Sequence, residues 1–262
     1  MVDPNRALFE SVVRLLAPVL DDLVFVGGCT TGLFITDPAA AGIRPTVDVD
    51  AIVDVASFAG YTTLADRLRA LGLGEDTSPG ALMCRWRRDG VVADVLPVDE
   101  RILGFSNRWY PTALVMARTL DLVQHRVRVV TPPLFVATKL EAFRGRGRGD
   151  FLGSHDLEDI VTVFDGRAEL PGEIADAPAD VRDYIAAEWE RCSAIATSST
   201  PSVAFCHRTP RVNAAEGRSK RACAAPLLAE VPFGERATGT GLEVALESPR
   251  SRRVCKLQRD DN

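Results

Sequence analysis

No apolar run approaches the ~18 residues that a membrane-spanning helix needs. The first residues also do not place a basic segment ahead of an apolar one. The expectation is a soluble, cytoplasmic protein with no membrane partner. Cysteine is thin as well: six residues lie far apart in the 262-residue chain, without Cys-x-x-Cys or a Cys/His cluster at metal-ligand spacing. Neither a disulfide framework nor a zinc site is suggested. Positive charge is not in excess, since 31 Lys and Arg face 36 Asp and Glu for a formal net charge of -5. A wholly basic nucleic-acid surface is therefore excluded, whereas a local basic groove is not. With 46% hydrophobic and 26% charged residues, the chain can bury one ordinary core and carry a helical appendage.

What is present centres on two short segments. Val24-Phe25-Val26 reads as a strand that stops at Gly27-Gly28, and Cys29 to Ile35 as a helix behind the glycines. Further on, Val47 to Val53 reads as a second strand, in which Asp48 and Asp50 share one face and Val47, Val49 and Ala51 the other. Two like charges on one strand face repel unless solvent or a cation screens them. A hard divalent ion such as Mg²⁺ is one reading, because it takes carboxylates and fills its other positions with water and substrate phosphate; a solvated edge strand is the other. The glycine pair weighs toward the first, since it lets backbone and phosphate approach closely.

Val91 to Val98 is an apolar strand broken by a single charge, Asp94. A carboxylate in that setting needs a partner: a nearby arginine (Arg85, Arg87 or Arg88) or a shared metal. Asp89-Gly90 predicts the hairpin turn that delivers it. Around these segments the periodicity predicts helices over Asn5 to Leu20 and Ser57 to Leu71, and strands over Leu82 to Trp86 and Val127 to Val130. Trp109 to Pro111 reads as a loop, and Thr112 to Leu120 fits strand and helix equally. Thr46 is placed to fix the approach to the Asp-x-Asp strand, and Arg44 reads as a phosphate contact or a solvated loop residue.

Thr131-Pro132-Pro133 opens a helix with prolines where the first-turn N–H groups have no partner anyway. Val136, Leu140 and Phe143 form its apolar stripe, and Lys139 interrupts the run, so it snorkels or meets an anion. Residues 144–150 form a basic glycine-rich loop in which Arg146 is a candidate phosphate ligand; a solvated linker is the alternative. Ser154 then leads a helix whose spacing places Asp156 at the flank of the apolar face and Asp159 nearly opposite it. Acids in a first helical turn also suit the helix dipole.

The order strand, Gly27-Gly28, short helix, Thr46-x-Asp48-x-Asp50 strand resembles the nucleotidyltransferase superfamily, with the polymerase β-like fold. Ala137-Thr138-Lys139-Leu140-Glu141-Ala142, the Arg-rich loop and Ser154-His155-Asp156-Leu157-Glu158-Asp159 sharpen the resemblance to the AbiEii/AbiGii toxin branch over roughly residues 5–190. Gly28 stands where the superfamily usually has Ser. The resemblance implies an α/β (α+β) fold, a mixed sheet flanked by helices. It implies Mg²⁺ on Asp48, Asp50 and Asp94, with Asp94 also the general base. It places nucleoside triphosphate at Gly27, Gly28, Lys139, Arg146 and Asp156. It also implies nucleotidyl transfer to a hydroxyl acceptor, with RNA such as the tRNA acceptor end as that acceptor, and a toxin role with a cognate antitoxin. Transfer to a small aminoglycoside-like compound, or an inactive nucleotide- or RNA-binding relic, are the alternatives. The organisation expected is a catalytic core over 1–130, a small helical part over 131–197 and a disordered basic tail over 198–262.

Overall fold

The computed structural model describes residues 2–198 apart from 41, 56, 148 and 152, with side-chain surroundings to residue 194. The expected tail therefore lies outside the described residues, except Ser198. All described residues belong to one unit, residues 1–232.

Among the described residues a seven-stranded mixed sheet is flanked by helices. Its strands are β1 (Leu23–Val26), β2 (Val49–Val53), β3 (Gly74–Glu75), β4 (Arg85–Arg88), β5 (Val91–Pro97), β6 (Arg118–Leu122) and β7 (His125–Val129). They lie side by side in the order β3-β4-β5-β2-β1-β7-β6. β2 runs parallel to β5 and β1 parallel to β7, and the remaining neighbours are antiparallel. Register is what matters for the site. Arg85 opposes Asp94, Asp94 opposes Asp50, and Asp50 opposes Val26, so Arg85, Asp94 and Asp50 stand in one lateral row on one face of the sheet.

Helix α1 (Arg6–Leu15) covers the opposite face, with Phe9 packed edge-on against Phe25 at 4.9 Å between ring centroids. The helix expected to reach Leu20 stops at Leu15, and Ala17–Asp22 follows as a 3-10 turn. Pro18 has no N–H to give the carbonyl four residues back, so the α-helix cannot continue through it. Behind the glycines the expected helix is a 3-10 turn, Gly28–Leu33. The second strand begins at Val49 rather than Val47, and Val47 is 77% exposed.

Helix α2 (Phe58–Ala70) is capped by Ser57, whose hydroxyl accepts from the Gly60 N–H. Its Tyr61 hydroxyl donates to the Val95 carbonyl and ties the helix to β5. Asp89 and Gly90 both have positive φ, 50° and 80°, the primed turn that the Asp-Gly pair predicts. The strand expected over Leu82 to Trp86 is β4, shifted to Arg85–Arg88. A short helix α3 (Glu100–Leu103) follows β5, and the ambiguous stretch resolves into helix α4 (Tyr110–Val115) followed by β6.

Helix α5 (Pro132–Arg146) is buried on nearly all sides from Pro132 through Leu140 rather than along one stripe. It packs against α4, α6 (His155–Gly166), α7 (Leu170–Ala175) and α8 (Ala179–Ser198). Asn107 fastens α4 to it, donating to the Thr138 carbonyl at 2.9 Å while its own side-chain oxygen accepts from the Trp109 N–H.

Candidate active site

The site forms where β1 ends and β2 begins. Gly27 has φ 75° and ψ -172°, a backbone region open essentially to glycine alone. The carboxylate of Asp50 lies directly against its Cα, so a Cβ there would overlap Asp50 Oδ2 and lie 2.8 Å from Cγ. Gly28 faces the other way. A Cβ on it would lie 3.1 Å from both Arg44 Nη2 and Asp159 Oδ2. The glycine pair thus separates two charge clusters.

On the Gly27 side are Asp48, Asp50 and Asp94 with one cation, Arg85. Arg85 Nε and Nη2 donate to the two oxygens of Asp94 at 2.8 and 2.7 Å, and Nη2 also reaches Asp48 Oδ2 at 2.6 Å. Asp94 is 2% exposed, and this fork answers the need for a partner read from its apolar strand. The pairing holds the guanidinium firmly protonated. The Thr46 hydroxyl donates to Asp48 Oδ1 at 3.0 Å, fixing the approach to β2 as expected. Asp50 has no ion-pair partner among the described residues. Burial, and then the charges of Asp48 and Asp94, push its carboxyl up to about 7.

On the Gly28 side Lys139 donates to Asp159 at 2.7 Å and Asp156 at 3.2 Å. Arg146 grips Asp156 through two bonds at 3.0 and 2.9 Å, and Arg44 reaches Asp159 at 3.2 Å. Lys139 is 6% exposed. Burial works against its ammonium, but Asp159 and Asp156 outweigh it and its pKa rises. Burial likewise raises the Asp156 carboxyl, and Arg146 and Lys139 more than reverse this, leaving it below the ordinary value. Three cations face the two buried carboxylates here, and the more exposed Glu158 lies 3.8 Å from Arg44 at the edge of the cluster.

Asp159, expected nearly opposite the apolar face of α6, is 1% exposed and deeper than Asp156 at 5%. An apolar stripe predicts orientation only where polar residues prefer water, and here Lys139 and Arg44 draw Asp159 inward. Arg44, partly exposed, is engaged by Asp159 through Nη2 and lies 3.8 Å from Glu158. It is set by Asn5, which donates to the Arg44 carbonyl at 2.9 Å and accepts from the Thr46 N–H at 2.8 Å. Nothing in the sequence pattern marks Asn5. Tyr110, read as loop, opens α4 close enough to Asp50, Arg146 and Asp156 to feel their charges; burial first and Asp50 next raise its hydroxyl. Pro111 in the helix's first turn was the available signal.

Among the described residues no three His, Cys, Asp or Glu side chains converge tightly enough to hold a metal as they stand. The donor chemistry does fit a hard divalent ion: three carboxylates adjoin, and the one cation present serves two of them and leaves Asp50 unpaired. A cavity of about 330 Å³ lined by Arg118, Pro132, Leu134, Glu173 and Val181 contains none of these residues. No helix among the described residues is long and apolar enough to cross a membrane.

No protein-family profile and no curated protein sequence matches the chain. Solved structures similar to it include an antigenic nucleotidyltransferase-like protein from Paracoccidioides brasiliensis, at 19% identity and TM-score 0.45, covering 73% of this chain and 91% of that one. Another is the antibiotic-resistance factor ANT(2'')-Ia, at 12% identity and TM-score 0.43, covering 72% of this chain and 96% of that one.

Proposed function

We propose that this protein is a nucleotidyltransferase that moves a nucleoside monophosphate from a nucleoside triphosphate to a hydroxyl acceptor, with RNA as the acceptor class. The observation that carries the reading is the arrangement at Gly27-Gly28: three carboxylates with a single arginine on one side and the buried Lys139 with Arg44 and Arg146 on the other, with a glycine-only turn between them. A triphosphate chelating a divalent ion has that same polarity, metal at one end and bare phosphate oxygens at the other.

In this reading Asp48, Asp50 and Asp94 hold Mg²⁺, which when bound supplies charge neutralisation and Lewis acidity at the phosphate. Gly27 and Gly28 let the phosphates approach the backbone. Lys139 and Arg146, already oriented by Asp156 and Asp159, lend positive potential to the departing pyrophosphate. Asp94, set by β5 across from Asp50, accepts the proton of the acceptor hydroxyl as it attacks. A toxin role with a cognate antitoxin belongs to the same proposal and rests on the sequence resemblance.

A second reading, an inactive nucleotide- or RNA-binding relic, is favoured by one contact: Arg85 on Asp48 and Asp94. Incubation with each α-³²P nucleoside triphosphate, Mg²⁺ and total tRNA, beside Asp48→Ala, separates them. Label in RNA that requires Asp48 supports transfer. Triphosphate binding with no label in RNA, small molecules or protein supports the relic.

A further inference from the structure

We propose that Arg85 is a tethered counter-ion which a divalent cation must displace, so that the Arg85 ion pairs and metal loading exclude one another. The inference rests on the metal-site reading above and adds a control to that site.

One guanidinium nitrogen bridges Asp48 and Asp94 at 2.6 and 2.7 Å, and Nε takes the second oxygen of Asp94 at 2.8 Å. A divalent ion held by Asp48 and Asp94 would have to draw on the same two carboxylates. Two cations cannot share them without strong repulsion. A lysine in this place could shed its proton and stay. Arginine is not deprotonated in proteins, so it has to move. Its position permits movement: the side chain is 22% exposed, and β4 has on its outer side only the two-residue β3. Asp50, outside the guanidinium's reach, remains as the carboxylate that an arriving ion meets without first displacing anything.

The consequence is that Arg85 weakens resting metal affinity and keeps Asp94 engaged until an ion arrives. The test uses the full chain stripped of metal. Mn²⁺ is titrated calorimetrically into wild type, Arg85→Gln and Arg85→Met, with circular dichroism confirming that each is folded. In parallel, the Arg85 Nε–H signal of ¹⁵N-arginine-labelled wild type is followed as Mg²⁺ is added, a measurement that needs no variant. The expected result is Mn²⁺ binding at least ~10-fold tighter in the variants, together with a shifted, faster-exchanging Nε–H at Mg²⁺ saturation. Equal or weaker binding in folded variants, or an Nε–H unmoved at saturation, overturns the proposal and makes Arg85 a fixed strut, leaving the transferase reading intact. Absence of Mn²⁺ binding in all three proteins overturns the proposal and the metal-site reading together.

Discussion

Gly27→Ala is the sharpest perturbation the site offers, and Gly28→Ala is its control. At Gly27 the new side chain meets two obstacles. The backbone, at φ 75° and ψ -172°, lies where a non-glycine residue costs about 1–3 kcal/mol. The methyl also collides with the Asp50 carboxylate, which β2 cannot withdraw because Asp50 is held in register with Val26 on one side and Asp94 on the other. Overpacking of that kind adds about 1–3 kcal/mol. The combined loss expected is about 2–6 kcal/mol, read as a fall of about 1–3 M in the urea midpoint for an m-value near 2 kcal/mol/M. At Gly28 the methyl lies 3.1 Å from Arg44 Nη2 and Asp159 Oδ2, and the Arg44 end can shift, so the cost expected is below about 1 kcal/mol. Adding Asp50→Ala to Gly27→Ala removes the overlapping carboxylate but not the backbone term, and should recover roughly half of the loss. A Gly27→Ala protein within about 0.5 kcal/mol of wild type, or a Gly28→Ala protein less stable than it, would refute the reasoning.

Three other outcomes are expected. Asp50, raised from 3.8 to about 7, binds a proton in the folded state that the unfolded chain releases. Its contribution to stability is therefore present at acid pH and lost as pH rises through about 7, so metal-free wild type should lose stability over that window relative to Asp50→Asn in paired thermal melts. Lys139→Met strands two buried carboxylates with one arginine each; a loss of about 3 kcal/mol in urea unfolding is expected, and under about 1 would make the ammonium structurally idle. Val123 and Gln124 sit at φ 52° and 66° in the β6–β7 turn, so Val123→Asn with Gln124→Gly should raise stability by about 1–2 kcal/mol, visible as a higher melting temperature.

The same turn shows where sequence reading loses its grip. β4 and β5 were legible because Asp89-Gly90 declares its positive φ angles chemically. β6 was not, because Val-Gln adopts them without any such residue, paid for by the strands on either side. The carboxylates could be read from strand alternation, since Asp50 and Asp94 interrupt apolar strands and only one face was left for them. What alternation cannot show is lateral register, and it is register that sets Arg85 rather than Arg87 or Arg88 across from Asp94. Asp159 was misjudged for a related reason: a helical wheel sees its own helix, while the cations that bury Asp159 come from α5 and the loop before β2.

Stability alone accounts for one of the two clusters. Around Lys139 each buried carboxylate has two cationic partners, so the network could persist as a purely structural feature of the α5–α6 junction. Around Gly27 that explanation fails at Asp50. Arg85 already satisfies Asp94 and reaches Asp48, and a buried pair of that kind needs no third acid beside it. Asp50 adds repulsion, lacks an ion-pair partner among the described residues, and restricts Gly27 to glycine. A neutral residue would remove the repulsion. Lys139 and Arg146 offset that repulsion only in part, since the carboxyl still stands at about 7; an acid left so poorly compensated is where a ligand cation would gain most, which makes Asp50, more than the better-paired Asp94 or Lys139, the residue on which the nucleotide reading turns.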